Sequence, residues 1–259
     1  MSDPMEHLLN VMATLRDPVR GCDWDRAQDF ASIAPYTIEE AYEVADAIAR
    51  NDIDALRDEL GDLLLQVVFH GRIAEEAGHF SFADIARSIS KKLESRHPHI
   101  FGDVQSTSEH QSDRWERLKA AERSAAGADS ALSGVALALP ALVRAEKLQK
   151  RAARVGFDWP DPAGPSAKIA EELAEFVEAA QTGDRQNILE EAGDLLFAVV
   201  NFLRKHQVAP EDALRAANAK FERRFRAMEQ LAAQHGDDFA TLSLDQQEEL
   251  WSQVKLSES

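Results

Sequence analysis

Cysteine is almost absent from this chain of 259 residues, which has Cys22 alone. No internal disulfide can form, nor a zinc site built on several cysteines, and a reducing cytoplasm suits such a chain. Positive charge is also scarce. Lysine and arginine number 29 against 46 acids, a formal net charge of −17. A chain of that sign repels nucleic acid and anionic membrane, so neither is expected as a partner. A small phosphate ligand stays open if metal ions bridge it. Long apolar runs are missing: the longest, around residues 63–69 and 195–203, are too short to span a membrane. The opening MSDPMEHLLN lacks the basic and apolar segments of a signal peptide, which also points to the cytoplasm. Strand signals are few. Segments such as 56–77 and 188–206 carry apolar positions at the helical period, so an all-α fold is expected. Several motifs are missing too. There is no GxxxxGK before Ser or Thr, no GxGxxG and no His-Asp dipeptide. The acidic motifs contain ExxD and not ExxH, which weighs against a di-iron carboxylate bundle.

What is present is a set of four carboxylates that occurs twice. Glu40, Glu43, Glu59 and Asp62 recur as Glu172, Glu175, Glu191 and Asp194, each displaced by 132 residues. Residues three apart share one helix face, so ExxE and ExxD each present two carboxylates side by side. Asn51-Asp52 interrupts the first pattern and Gly183-Asp184 the second. Gly or Asn past a helix end, with Asp as the next N-cap, marks a helix–turn–helix. Position 51 is the midpoint of both acid pairs in the first set, and position 183 in the second. Folded as an antiparallel hairpin, Glu43 comes level with Glu59 and Glu40 with Asp62. Four negative charges then converge, which is costly without a cation. All-oxygen ligands suit a hard cation, Mg²⁺ or Mn²⁺. A single EExxE is ordinarily a solvated helix face; a repeated set about a shared turn favours a metal site.

The duplication extends beyond the acids. Residues 58–68, DELGDLLLQVV, align on 190–200, EEAGDLLFAVV. Gly21, Asp23 and Trp24 match Gly156, Asp158 and Trp159; KLESR at 92–96 matches KFERR at 220–224. Trp115, Lys119 and Glu122 match Trp251, Lys255 and Glu258. The order of blocks is constant, so this is a tandem duplication of a domain of ordinary size. Residues 123–134, RSAAGADSALSG, form a small, polar linker between domains 1–122 and 135–259. After each Gly-Asp the helix is apolar nearly all round. Its burial needs a further helix pair, from the same chain or a second subunit.

Other groups carry less. Lys92 and Arg96, like Lys220 and Arg224, share a helix face. Such a pair suits a phosphate clamp and equally suits surface ion pairs with Glu94 and Glu222. His97-Pro98-His99 fits a capped loop better than a metal motif. Asp23-Trp24 and Asp158-Trp159 fit packing at helix boundaries. Lys168, where the first copy has Tyr36, can reach either a phosphate or water.

The motifs EEAYEV, DELGDLLLQVVFH, KLESRHPHIFGDV, KLQKRAARVGFDW, EEAGDLLFAVVN and KFERRF together resemble the MazG-type nucleoside triphosphate pyrophosphohydrolases in their tandem two-domain form. The resemblance covers nearly the full length. It implies tandem all-α domains whose helical hairpins pair into four-helix-bundle-like units, usually across a homodimer. It implies Mg²⁺-dependent conversion of an NTP and water to NMP and pyrophosphate. Glu172, Glu175, Glu191 and Asp194 resemble the metal ligands, with Glu40, Glu43, Glu59 and Asp62 their first-copy counterparts. Lys168, Glu171, Glu172, Lys220, Glu222, Arg223, Arg224 and Trp251 resemble the nucleotide contacts. Glu171, or Glu39 in the first copy, is placed to orient the attacking water. Two other activities remain open at this level. One is a base-restricted pyrophosphatase of the same helical type, for dUTP or a modified nucleotide. The other is a non-catalytic Mg–nucleotide-binding module serving regulation or dimerisation.

Overall fold

The structure is a computed structural model that describes residues 3–102, 127 and 129–258. Trp115, Lys119, Glu122 and most of the first half of the expected linker lie outside the described residues. The chain divides into two compact units, Met1–Leu118 and Lys119–Ser259. Among the described residues every regular element is helical, as expected of an all-α tandem chain. No helix there is long and apolar enough to cross a membrane.

In the first unit, α1 (Pro4–Leu15) and the short α2 (Asp23–Ala27) precede the long hairpin of α3 (Phe30–Ala49) and α4 (Ile53–Glu76). Helices α5 (Phe82–Arg96) and α6 (Pro98–Phe101) follow. Asp29 and Ser32 form a reciprocal capping box at the start of α3, with Ser32 N–H donating to Asp29 Oδ1 at 2.8 Å. At the hairpin turn Asn51 takes φ 54°, and Asp52 caps α4 by accepting from Ala55 N–H at 3.0 Å. The core joins Met12, Ile33, Val68, Phe69 and Ile73 to Leu8, Leu9, Leu64, Leu65 and Phe82. Burial of each such side chain contributes about 1.5–3 kcal/mol. In this unit, therefore, α1 and α5 cover much of the apolar length of α4. Arg16, 9% exposed, fastens the segment after α1 to α4. Its Nε and Nη2 donate to Glu76 at 3.0 and 2.8 Å, and Nη1 to the carbonyls of Asp25 and Gln28. Its guanidinium lies 5.3 Å from the centre of the Phe69 ring.

The second unit repeats the hairpin. Helix α7 (Ala141–Arg154) precedes α8 (Ala163–Thr182) and α9 (Arg185–Lys205). The long α10 (Pro210–His235), a 3₁₀ turn (Phe239–Thr241) and α11 (Leu244–Ser257) complete it. Gly183 ends α8 at φ 74°, where the absence of a side chain removes the left-handed penalty, and Asp184 caps α9 through Gln186 N–H at 3.0 Å. Gln149 of α7 donates to the carbonyl of Phe197, midway along α9, at 2.8 Å. Asp158 holds Arg204 and Lys205 at the far end of α9. A separate core of Met228, Ala232, Leu250 and Val254 ties α10 to α11. Leu173, Val177, Leu189, Leu196 and Phe197 of the second hairpin remain 44–67% exposed.

Candidate metal centre

Each hairpin turn brings its acids back on themselves. In the first unit ExxE on α3 supplies Glu40 and Glu43, and α4 returns Glu59. In the second, α8 supplies Glu172 and Glu175, and α9 returns Glu191. One carboxylate oxygen from each member of a triplet lies within 4.8 Å of the other two. Among the described residues these are the two places where three such ligand atoms gather. Glu172 is 5% exposed, Glu175 is open to solvent and Glu191 is half-buried. In the first triplet Glu40 and Glu59 are half-buried and Glu43 is open. Asp62 and Asp194 sit outside these tight triplets, one turn further along α4 and α9, and are exposed. Asp62 is still close enough for its charge to act on Glu40 and Glu59.

Burial first, and the charge of neighbouring acids second, raises the carboxyl pKa of Glu40, Glu59 and Glu175. Burial raises Glu40, followed by the charges of Asp62 and Glu43. Burial raises Glu59, followed by Glu43 and Asp62. Burial and then Glu172 raise Glu175, with Lys168 acting in the opposite sense. Three convergent oxygens, one from a buried carboxylate, form a donor set fit for a hard cation.

The two centres differ one turn before the acids. Lys168 Nζ lies 2.8 Å from Glu171 and 2.5 Å from Glu172. Hydrogen bonds donated to Glu171 and then Glu172 hold its ammonium above the usual lysine range. Sequence left Lys168 between phosphate and water; in the structure it is turned onto the acids. Glu171 is therefore engaged by Lys168, and Glu39, its counterpart, is exposed. Tyr36 packs its ring edge-on against Trp24, centroids 6.3 Å apart.

The basic stretch of α10 forms a second group. Arg223 and Arg224 both donate to Glu258, at 3.1 and 2.7 Å. Arg224 lies 5.5 Å from the Trp251 ring centre, and Phe221 packs on the same ring at 5.8 Å. Glu222 pairs with Arg226, one turn on, and not with Lys220, which is exposed. The ion pairs of Arg223 and Arg224 thus run to Glu258, not to the acidic triplet. His97 Nδ1 lies 2.8 Å from the carbonyl of Leu93 at the end of α5, a capping contact.

The family model for the MazG nucleotide pyrophosphohydrolase domain matches residues 28–101 and 165–228. The chain belongs to this family. Each MazG segment contains one acidic hairpin. The second also contains Lys168 and the KFERR stretch, while Trp251 lies beyond it. A nucleoside triphosphate pyrophosphohydrolase of Escherichia coli K12 is 50% identical over 259 residues, 98% of each chain. A nucleoside triphosphate pyrophosphohydrolase/pyrophosphatase MazG of Thermotoga maritima is 44% identical, over 96% of this chain and 95% of its own. A nucleoside triphosphate pyrophosphohydrolase of Mycobacterium tuberculosis is 34% identical, over 72% of this chain and 55% of its own.

Two features of this MazG chain were not visible in sequence. One is the burial of Glu172, which depends on how α8 packs. The other is the role of Glu258, whose repeat partner Glu122 gave a signal without a meaning.

Proposed function

We propose that the protein is a cytoplasmic, Mg²⁺-dependent nucleoside triphosphate pyrophosphohydrolase that converts NTP and water to NMP and pyrophosphate, with Mn²⁺ able to replace Mg²⁺. The observation that carries this is the convergence of Glu172, Glu175 and Glu191 within 4.8 Å across a hairpin, duplicated at Glu40, Glu43 and Glu59. The names of the relatives over nearly the whole length support it. Glu172, Glu175, Glu191 and Asp194 would hold the metal, with Glu40, Glu43, Glu59 and Asp62 their counterparts. A divalent cation, when bound, offsets the charge between carboxylates and phosphate oxygens and lowers the pKa of water.

The chain's own groups do the rest. Glu171 accepts from the attacking water, or Glu39 does so in the first copy. Lys168, Lys220, Arg223 and Arg224 take phosphate charge; each arginine keeps N–H donors beyond those given to Glu258. Glu222 steadies this stretch through Arg226. Trp251, half-buried between Phe221 and Arg224, offers a ring to the base. The assembly is a homodimer: the exposed Leu173, Val177, Leu189 and Leu196 leave a hairpin face that a second copy would cover.

The test is product analysis with a panel of NTPs and Mg²⁺. Pyrophosphate and NMP should form with several bases and stop in chelator. Glu175→Gln or Glu191→Gln should lower turnover by at least ~10²-fold, the usual loss when an electrostatic element of a site is removed. Turnover of one base only would turn the assignment to a restricted pyrophosphatase, and binding without products to a regulatory module.

A further inference from the structure

Lys168 and Tyr36 occupy equivalent places, each one turn before the first acid of its triplet. Their chemistry is opposite. The Lys168 ammonium is 2.5 Å from Glu172, whose side chain is only 6% exposed, and 2.8 Å from Glu171. Tyr36 turns to Trp24 and supplies no charge. The second triplet thus has a cation tethered to its buried carboxylate, Glu172. The first has no such ion pair among the described residues.

A buried carboxylate must have a partner, and Glu172 has little access to water. We propose that Lys168 is a tethered counter-ion: it fills the place of a cation at Glu172 when metal is absent, then releases that oxygen to the metal and turns its charge to the incoming triphosphate. This rests on the metal-centre reading above. Two consequences follow. Free metal ion binds the second centre against competition from the ammonium, while the first centre binds it without any. Triphosphate removes the competition, because Lys168 gains a new anion as it leaves Glu172, so metal and triphosphate bind the second centre cooperatively.

The test measures Mn²⁺ binding by electron paramagnetic resonance in the full chain, with the first centre disabled by Glu43→Gln and Glu59→Gln. Against that background Lys168→Gln should bind free Mn²⁺ about three- to tenfold more tightly, the scale of a partly buried ion pair. It should bind Mn²⁺ with a non-hydrolysable triphosphate more weakly than the parent. Lys168→Arg, which keeps the charge, should keep the weaker free-metal affinity. Melting curves confirm that each variant is folded. The converse variant, Tyr36→Lys with Glu175→Gln and Glu191→Gln, should weaken Mn²⁺ binding at the first centre. Unchanged or weaker free-metal affinity in folded Lys168→Gln overturns the counter-ion role. Mn²⁺ binding that survives Glu175→Gln with Glu191→Gln in the chain that also carries Glu43→Gln and Glu59→Gln overturns the metal centre itself, a different result.

Discussion

Replacing Arg16 with Met should destabilise the first unit by about 2–3 kcal/mol. Breaking a buried ion pair by removing one partner typically costs about 3–5 kcal/mol, because the other charge is left alone. Here that penalty is softened. Glu76 keeps Arg72, whose Nε donates at 2.8 Å, and its side chain is 30% exposed. The remaining loss is the Arg16 fork to Glu76, the two carbonyls it satisfies and its packing on Phe69, which Met replaces in part. A domain of about 100 residues shifts by about 4–8 °C per kcal/mol, so its melting transition should fall by about 8–24 °C in calorimetry.

The loss should also depend on pH. Burial pushes the Glu76 carboxyl up, but hydrogen bonds from Arg16 and Arg72 outweigh it and hold it below the ordinary value of 4.5. A depressed carboxyl stabilises the fold above its unfolded pKa, and that share is lost as pH falls through the folded value. The gap between parent and Arg16→Met should therefore be full at pH 7 and shrink below about pH 4. Activity should largely persist if the second unit carries turnover. A variant within about 0.5 kcal/mol of the parent, the usual range for unremarkable surface changes, would refute the clasp. A gap that is constant from pH 7 to pH 3 would refute the contribution of Glu76.

The two centres can be separated by a matched pair. Glu43→Gln with Glu59→Gln should retain most turnover, and Glu175→Gln with Glu191→Gln should lose nearly all, because only the second copy has Lys168 and the richer basic run, with Arg223 where the first copy has Ser95; the reverse pattern in a steady-state assay would overturn the assignment. Light scattering at working concentration should return twice the chain mass of 28.7 kDa, and a monomer would show that the exposed hairpin face is covered in another way. Gly183→Ala, at φ 74°, should cost about 1 kcal/mol through left-handed strain, read from denaturant midpoints, with the acids otherwise intact.

The acidic hairpins were legible because their geometry is local. A turn at the midpoint of two acid pairs leaves the helices one way to fold back, and Asn51 and Gly183 take the positive φ that such a turn needs. The all-α class followed from apolar positions at helical period in α4 and α9. What the sequence did not reveal was long-range or a matter of choice between partners. Arg16 and Glu76 are 60 residues apart, with no spacing to link them. Lys168 had a phosphate and water as candidates, and the nearest strong acceptor proved to be Glu172. Glu222 had basic residues at several helical spacings, and Arg226 took it. Asp62 and Asp194 fit the periodic pattern as well as their neighbours, yet lie a turn beyond the tight triplets. Helical period fixes a face but not the depth along it.

The Gln149 contact to Phe197 limits how α9 can turn about its own axis. Carboxylates at the rim of a helix sit about 5–6 Å from that axis, so each 10° of roll carries Glu191 sideways by about 1 Å. Displacements of that size are enough to change a reaction by ~10²-fold. An amide on α7 thereby acts as a detent on the azimuth of the helix that bears Glu191 and Asp194.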